Sequence, residues 1–478
     1  MNRYAMIAAL PLIFSGATVF AQATEQGAAH LTQVFQTYLG TTAGAVTVAL
    51  DGDNYIVTLN VTPAVMQVPG ATSSMTPLEL TLTDKGDGTW HVAQDQAISF
   101  NVNEPGQAVI KEEIASLKSE GVFDEALMSF TSATGKMSGI TITQDITTAG
   151  QPPVKSDLAL QDGTFTLTGS AAAGGGVDNT FLVTMTGLTG SMAISSEAGA
   201  PAMPITYSAD SLTETGKIDG MRMDALYKAI AWMVAHPDEA AMKSDKAGLK
   251  TILQEGFPLF STLAATGSLK NFVITTPMGN VGMAEMGIAV DMNGVVPDGK
   301  LREAFTVTGL TLPEGIIPTW AVPIVPQKFS VDFQVTDFDA AAAAVVALRL
   351  FDLPAGTEPD AAFDKALLTA LLPKGTATFG LNPGAVAGNG YELTYQGTMV
   401  AGPDMGVPTG TATVTLTGID KLQAAVAAAP DDIKAQATMG VAMAQGMAKQ
   451  DGDKLVWEID ASTPGSLSVN GLKMMGGN

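Results

Sequence analysis

Alternation of period two runs through most of this chain and commits it to sheet. Leu78, Leu80 and Leu82 alternate with Glu79, Thr81 and Thr83, and a strand places successive side chains on opposite faces. Asp84-Lys85-Gly86-Asp87-Gly88 then turns the chain into Thr89-Trp90-His91-Val92, and Ile98, Phe100 and Val102 continue the pattern. Upstream, Thr47–Leu50 and Tyr55–Val61 flank Asp51-Gly52-Asp53-Asn54, with Tyr55, Val57, Leu59 and Val61 on one face. One apolar face, one wet face and tight polar turns predict antiparallel hairpins. Similar runs recur at Ile140–Ile146, Ser156–Leu160, Thr164–Thr168, Thr180–Met185, Phe305–Val307, Ser330–Val335, Tyr391–Thr398, Thr411–Leu416 and Leu455–Ile459. Charged residues are only 15% of the chain, against roughly 25% in a typical soluble protein. The wet faces must therefore be carried by Thr, Ser, Gln and Asn, which suits sheet better than exposed helix.

Helical periodicity is confined to shorter stretches. The clearest is Asp219–Thr276, where Met223, Leu226, Tyr227, Ile230, Met233 and Val234 recur at three-to-four spacing. His236-Pro237 ends that helix, Asp238 caps the next, and Leu249, Ile252, Leu253, Phe257 and Phe260 form a second stripe. The period then returns to two over Leu269–Thr276. Further helices are predicted at Ala28–Leu39, Ala108–Leu117, Asp337–Leu350, after Asp360, at Asp420–Ala428 and at Asp431–Gln450. The expected fold class is α+β, with extended antiparallel β-sheets, helices packed on one face, and two β-rich halves joined by a central helical segment. The expected divisions are 1–23 as a signal peptide, 24–218 as an N-terminal β-rich half, and 219–478 as a C-terminal α+β half beginning with the central helices.

The leader reading rests on Met1-Asn2-Arg3, a short positive segment, followed by the mostly apolar Tyr4–Phe20. Small residues then predict cleavage after Ala21 or Ala23 and export to the periplasm. No later stretch reaches ~18 uninterrupted apolar residues, so no transmembrane span is expected after cleavage. The chain has no cysteine, which excludes disulfides, thiol nucleophiles and thiolate metal sites. Net charge is −23, from 24 basic and 47 acidic residues. With no basic cluster the electrostatic footprint of a nucleic-acid binder is missing, and anionic head groups are not attracted.

Motifs for chemistry are equally absent. His30, His91 and His236 are the three histidines, none in an H-E-x-x-H pattern. Neither a G-x-S-x-G elbow nor an S-x-x-K pair occurs. Gly294 to Gly299-Lys300 has phosphate-loop spacing, but Leu301 stands where magnesium needs Ser or Thr, which makes it an ordinary turn. The Asp-Gly clusters lack EF-hand spacing and read as turns. No catalytic residue, metal ligand or cofactor is expected.

Two apolar segments stand out. Met439, Met443 and Met447 form a helical stripe, expected in a core, with an adaptable binding surface as the other reading. Leu312–Val325 places Ile316, Ile317 and Trp320 among Pro313, Pro318 and Pro323, so it either drapes over a sheet or lines a groove. Those three residues are the expected ligand contacts. The faces Tyr55/Val57/Leu59 and Val331/Phe333/Val335 would then surround an incompletely filled interior. A local phrase also recurs, at Met185-Thr186-Gly187-Leu188, Val307-Thr308-Gly309-Leu310, Leu416-Thr417-Gly418-Ile419 and Val469-Asn470-Gly471-Leu472. It predicts a turn or bulge that needs glycine.

Together the leader, the repeated Gly-Leu strand ends, Leu249–Gly279 and the closing Gly465–Leu472 resemble an uncharacterised exported Gram-negative bacterial family, known as a domain of unknown function. That resemblance implies an envelope location and β-rich architecture, and carries over no catalytic residues. The functional expectation is a non-catalytic periplasmic or envelope protein, binding an apolar ligand or lipid in a β-sheet groove. An envelope hydrolase without a recognisable motif, or a structural partner of another envelope protein, are the alternatives.

Overall fold

The computed structural model describes residues 22–60, 72–147, 154–194, 203–354 and 357–475. The leader up to residue 21 and Val61 lie outside them. Strand accounts for 54% of the structure and helix for 23%, so antiparallel sheet dominates and there is too little helix to cover it. By contact the chain divides into two compact units, Met1–Leu263 with Leu348–Glu358, and Ala264–Ala347 with Pro359–Asn478.

The first unit opens with α1 (Glu25–Leu39). Thr24 caps it by accepting the Gly27 amide, 3.0 Å, and Gly40 ends it at φ 83. Leu31 and Phe35 project from α1 onto β1 (Val46–Asp51), β2 (Asn54–Leu59) and β4 (Leu78–Asp84), which follows the short β3 (Thr72–Met75). Tyr55, Val57, Leu59 and Leu82 are fully buried beneath the helix. The face Tyr55/Val57/Leu59 is therefore sealed core and lines no open interior. The Tyr55 hydroxyl is satisfied there, accepting the Thr24 amide at 3.0 Å.

From this capped end six long strands run as a meander: β5 (Thr89–Glu104), β6 (Ala108–Asp124), β7 (Ser129–Ile146), β8 (Val154–Ala171), β9 (Val177–Ile194) and β10 (Met203–Met221). Each pairs antiparallel with its neighbour in sequence. The helix expected at Ala108–Leu117 is thus the first half of β6. Ile110 and Ile114 are four apart, which suits a helix turn, but they are also an even number apart. Ladders on both sides fix the second reading. Ser156–Leu160 and Thr164–Thr168 are likewise one strand, β8.

All six strands are broken at mid-length along one line. The ladder skips between Gln96 and Ile98 in β5, at Ala115 in β6, Gly139 in β7, Gln161 in β8, Gly187 in β9 and Asp210 in β10. Gly139 and Gly187 have φ 61 and 65, which a residue with a Cβ adopts only at a cost. Bulges in register bend a sheet, and here they form a crease. Ile140, Leu160 and Ala209, beside it on one face, are among the most buried residues of the long strands, so the sheet folds toward that face.

After β10 come α2 (Met223–Ala235), α3 (Glu239–Ser244) and α4 (Lys246–Gly256), then β11 (Thr262–Thr276). Asp238 caps α3 through the Ala241 amide, as expected. The buried side of α2 differs from the expected stripe: Ala225, Tyr227 and Trp232 are inside, whereas Met233 is 52% exposed. Tyr227 faces Tyr38 of α1, ring centroids 6.0 Å apart, and Trp232 binds Asp245 at 2.9 Å.

In the second unit β12 (Gly279–Asn293), β13 (Gly299–Thr308), β14 (Lys328–Phe338), β15 (Ala377–Gly388), β16 (Tyr391–Ala401) and β17 (Thr409–Thr417) again pair in sequence order. Helices α5 (Ala340–Ala347) and α6 (Ala361–Leu371) pack on one another, and α7 (Ile419–Ala427) rests on β16 and precedes α8 (Asp431–Met447). After β18 (Lys449–Asp451), β19 (Lys454–Asp460) joins β17, with the β20 (Leu467–Val469) and β21 (Leu472–Met475) hairpin beyond it. The main helix-to-sheet contacts are at β1 and β16. Helices layered along the sheet, as expected from the sequence, are found only in part.

Candidate functional site

Register reads out the composition of each face of β5–β10. One row across the strands is Phe100, Glu112, Ile142, Leu158, Gly190, Tyr207. The next, along the crease, is Ile98, Ile114, Ile140, Leu160, and beyond it Leu117, Met137, Gly163, Met185, Leu212. Most of these are half-buried, neither sealed nor open. Glycines in the rows are roofed by neighbouring rings: Tyr207 lies over Gly190, Phe165 over Gly135 and Phe181 over Gly216. The surface is thereby kept continuous and apolar.

The opposite face is polar. Asp95, Lys118, Lys136, Thr164, Thr184 and Thr213 make one of its rows, and Asn101, Lys111, Thr143, Asp157, Ser191 and Thr206 another. Lys118 pairs with Asp95 at 2.8 Å and Lys155 with Asp145 at 2.9 Å, both exposed pairs worth little in water. A depression of about 380 Å³ between β5 and β8 takes its charged lining, Asp95, Lys118, Glu120 and Lys136, from this face. Its groups are already paired or solvated and converge on no point.

The second unit has an apolar face of the same kind. Ile288, Phe305, Val331, Phe333, Val335, Phe379 and Met399 share it, with ring centroids of Phe333 and Phe379 6.1 Å apart. Phe333 is 40% exposed and Ile288 56%, well beyond what a sealed core shows. The expected ligand contacts lie on the irregular segment that follows β13. Ile316 is exposed, and Ile317 and Trp320 are half-buried. That segment is anchored at both ends. Thr311 bridges to Gly282, and the Tyr391 hydroxyl donates to the Ile324 carbonyl at 2.8 Å within a 3-10 turn, Val322–Ile324, that packs on α7.

Polar clusters are structural in their geometry. Arg302 donates to both oxygens of Asp332, at 2.9 and 2.5 Å, and Asn382 donates to the same carboxylate at 2.8 Å. Arg302 holds that carboxyl below its ordinary range. The His236 ring stacks on Trp232, centroids 4.3 Å apart, and lies 3.5 Å from Asp245. Asp245 is lowered chiefly by the Trp232 indole N–H and then by the Gly248 amide it caps. His91 is 3.7 Å from Glu120 on the polar face. Among the described residues no group of three or more His, Cys, Asp or Glu side chains is placed to hold a metal ion.

Met439 and Met443 are 62% and 61% exposed, which corrects the expectation that they are core, while Met447 at the end of the stripe is half-buried. Among the described residues α8 is engaged through Gln445 with Gln423, through the Ala444 carbonyl with the Trp457 indole, and through the Met447 carbonyl with the Asn470 amide. The crease is what sequence reading missed. Its signal was present in Gly139 and Gly187, but their alignment becomes visible only once register is known. No family model, curated protein or solved structure matches this chain, so its function is argued from geometry.

Proposed function

We propose that this chain is a non-catalytic exported protein of the bacterial envelope that holds an apolar ligand or lipid along a β-sheet groove. The observation that carries the reading is the creased apolar face of β5–β10, where row after row of Ile, Leu, Phe and Met stays half-buried and none of the described helices is layered along it. Apolar surface left open on this scale marks an interaction site, and a concave apolar surface suits a ligand. The arms on either side of the crease are long enough. In β7 they are Ser129–Ser138 and Ile140–Ile146, roughly 33 and 23 Å at 3.3 Å per residue. One leaflet contributes about 15 Å of the bilayer's hydrocarbon, so either arm matches an acyl chain. Export is supported by Arg3 and the apolar Tyr4–Phe20.

Purification from its own envelope, followed by native mass spectrometry and solvent extraction, tests this. A co-purifying apolar molecule, released under denaturing conditions, is the expected result. Trp320, Ile316 and Ile317 are proposed contacts in the second unit, so tryptophan emission should shift with added lipid, less so in Trp320→Phe. Protein that carries no apolar molecule and whose fluorescence ignores added phospholipid would end the proposal.

A further inference from the structure

The apolar face of β5–β10 has a charge signature. Five lysines lie on these strands and fall on the polar face: Lys111, Lys118, Lys136, Lys155 and Lys217, their register partners being Thr, Asn, Asp or another lysine except for Ala193 beside Lys155. By the same register no lysine or arginine among the described residues of β5–β10 falls on the apolar face. Its polar members include Gln94, Ser119, Gln144 and Ser156, together with the carboxylates Glu104 at the end of β5, Glu112 and Glu214. Glu112 sits in the middle of an apolar row, between Phe100 and Ile142, two residues from Ile114 at the crease. It is half-buried and has no ion pair or side-chain hydrogen bond among the described residues. The second unit repeats the signature across β12–β14, with Glu303 between Val290 and Phe333 and, among the described residues, no cation in the apolar rows of those three strands.

Resting on the reading above, we infer that this face selects a long-chain amphiphile whose head group carries no negative charge, with Glu112 setting that preference. The hydrocarbon chain lies along the rows of Ile, Leu and Phe. Glutamine and serine side chains offer hydrogen bonds to a neutral head group, and the unpaired carboxylate attracts a cationic one. An anionic head group finds no cation, and meets Glu112 across apolar surroundings where charges are poorly screened. The protein's net charge of −23 repels anions generally, so the test must separate one carboxylate from the whole field.

Dodecanoate, dodecyl maltoside and dodecyltrimethylammonium share one chain and differ in head group. Each is titrated below its micellar concentration, at physiological salt, into the full chain loaded with the neutral dye Nile red. Wild type should bind the maltoside and the ammonium compound at least about tenfold more tightly than dodecanoate, the effect of one nearby like charge. Glu112→Gln should close most of that gap. Glu113→Gln, which removes the same charge from the adjacent residue on the polar face, should leave it unchanged. Dodecanoate binding wild type as well as the maltoside would overturn the inference while leaving the groove intact. So would equal effects of Glu112→Gln and Glu113→Gln. Failure of all three compounds to displace the dye would overturn the groove as well.

Discussion

Gly139 and Gly187 show how single residues shape this protein. Both adopt left-handed backbone at the crease, and a Cβ on Gly139 would lie 2.9 Å from that of Ala115 on the neighbouring strand. Gly139→Ala should therefore destabilise by about 1–2 kcal/mol, measured by chemical denaturation, because both strain and crowding oppose it. The recurring Thr/Asn-Gly-Leu/Ile phrase predicted such positions, and Gly187, Gly309, Gly418 and Gly471 all have positive φ. Its meaning varies: Gly187 bends a strand, Gly418 starts α7, and Gly471 turns a hairpin. A four-residue phrase fixes the backbone conformation of one glycine and leaves its partner strands unspecified. Asp332 offers a second test. Replacing it with Ala removes the bidentate contact with Arg302, at a cost of about 1.5–3 kcal/mol. Arg302 lowers the Asp332 carboxyl in the fold, so this contribution is complete above the ordinary Asp value near pH 3.9 and fades as pH falls through the lower folded one. The stability gap between wild type and Asp332→Ala should thus be constant from pH 5 to 8 and shrink below about pH 4.

Elements with a strong local signal were the legible ones. The helix expected at Ala28–Leu39 forms with its stop at Gly40, and begins three residues earlier, at Glu25, behind the Thr24 cap. β6 was misread because Ala108–Leu117 satisfies both periods, and the choice lies with β5 and β7. Burial was harder still. In α8 the methionines are regularly spaced, yet Met439 and Met443 point outward, since the helix meets α7 and β19 with its other side. The double variant Met439→Ser/Met443→Ser should change unfolding free energy by no more than about 0.5 kcal/mol, as at other surface sites. Phe35→Ala in α1 should cost about 3–5 kcal/mol, because Phe35 is 1% exposed and the cavity it leaves has no means to collapse. Comparable losses in the two would restore the methionine stripe to the core.

Across the whole molecule, the composition that made the sequence difficult to read is the composition a half-covered sheet requires. Thr and Ser on the polar side keep the strands in water without dense charge, and few large aromatics are spent on the other side. The native protein should bind Nile red with its near-ultraviolet circular dichroism unchanged, since the apolar faces are open in the folded state. Dye bound only after the near-ultraviolet signal is lost would mean that those faces are covered in solution. The sequence supplied the alternation from which both faces follow. It could not supply the openness, because an apolar stripe reads the same whether or not something packs against it.

The meander also determines how such a chain lengthens. Among the described residues each of β6 to β9 pairs only with the strands just before and after it, so no other ladder is involved if a hairpin is added or lost between them. Two more strands would widen the sheet by roughly 10 Å at 4.8 Å per strand. The inserted pair would need a break such as a left-handed glycine at mid-length, in line with its neighbours. Width is therefore a dimension that gene length can set hairpin by hairpin, with the bend inherited by each new pair.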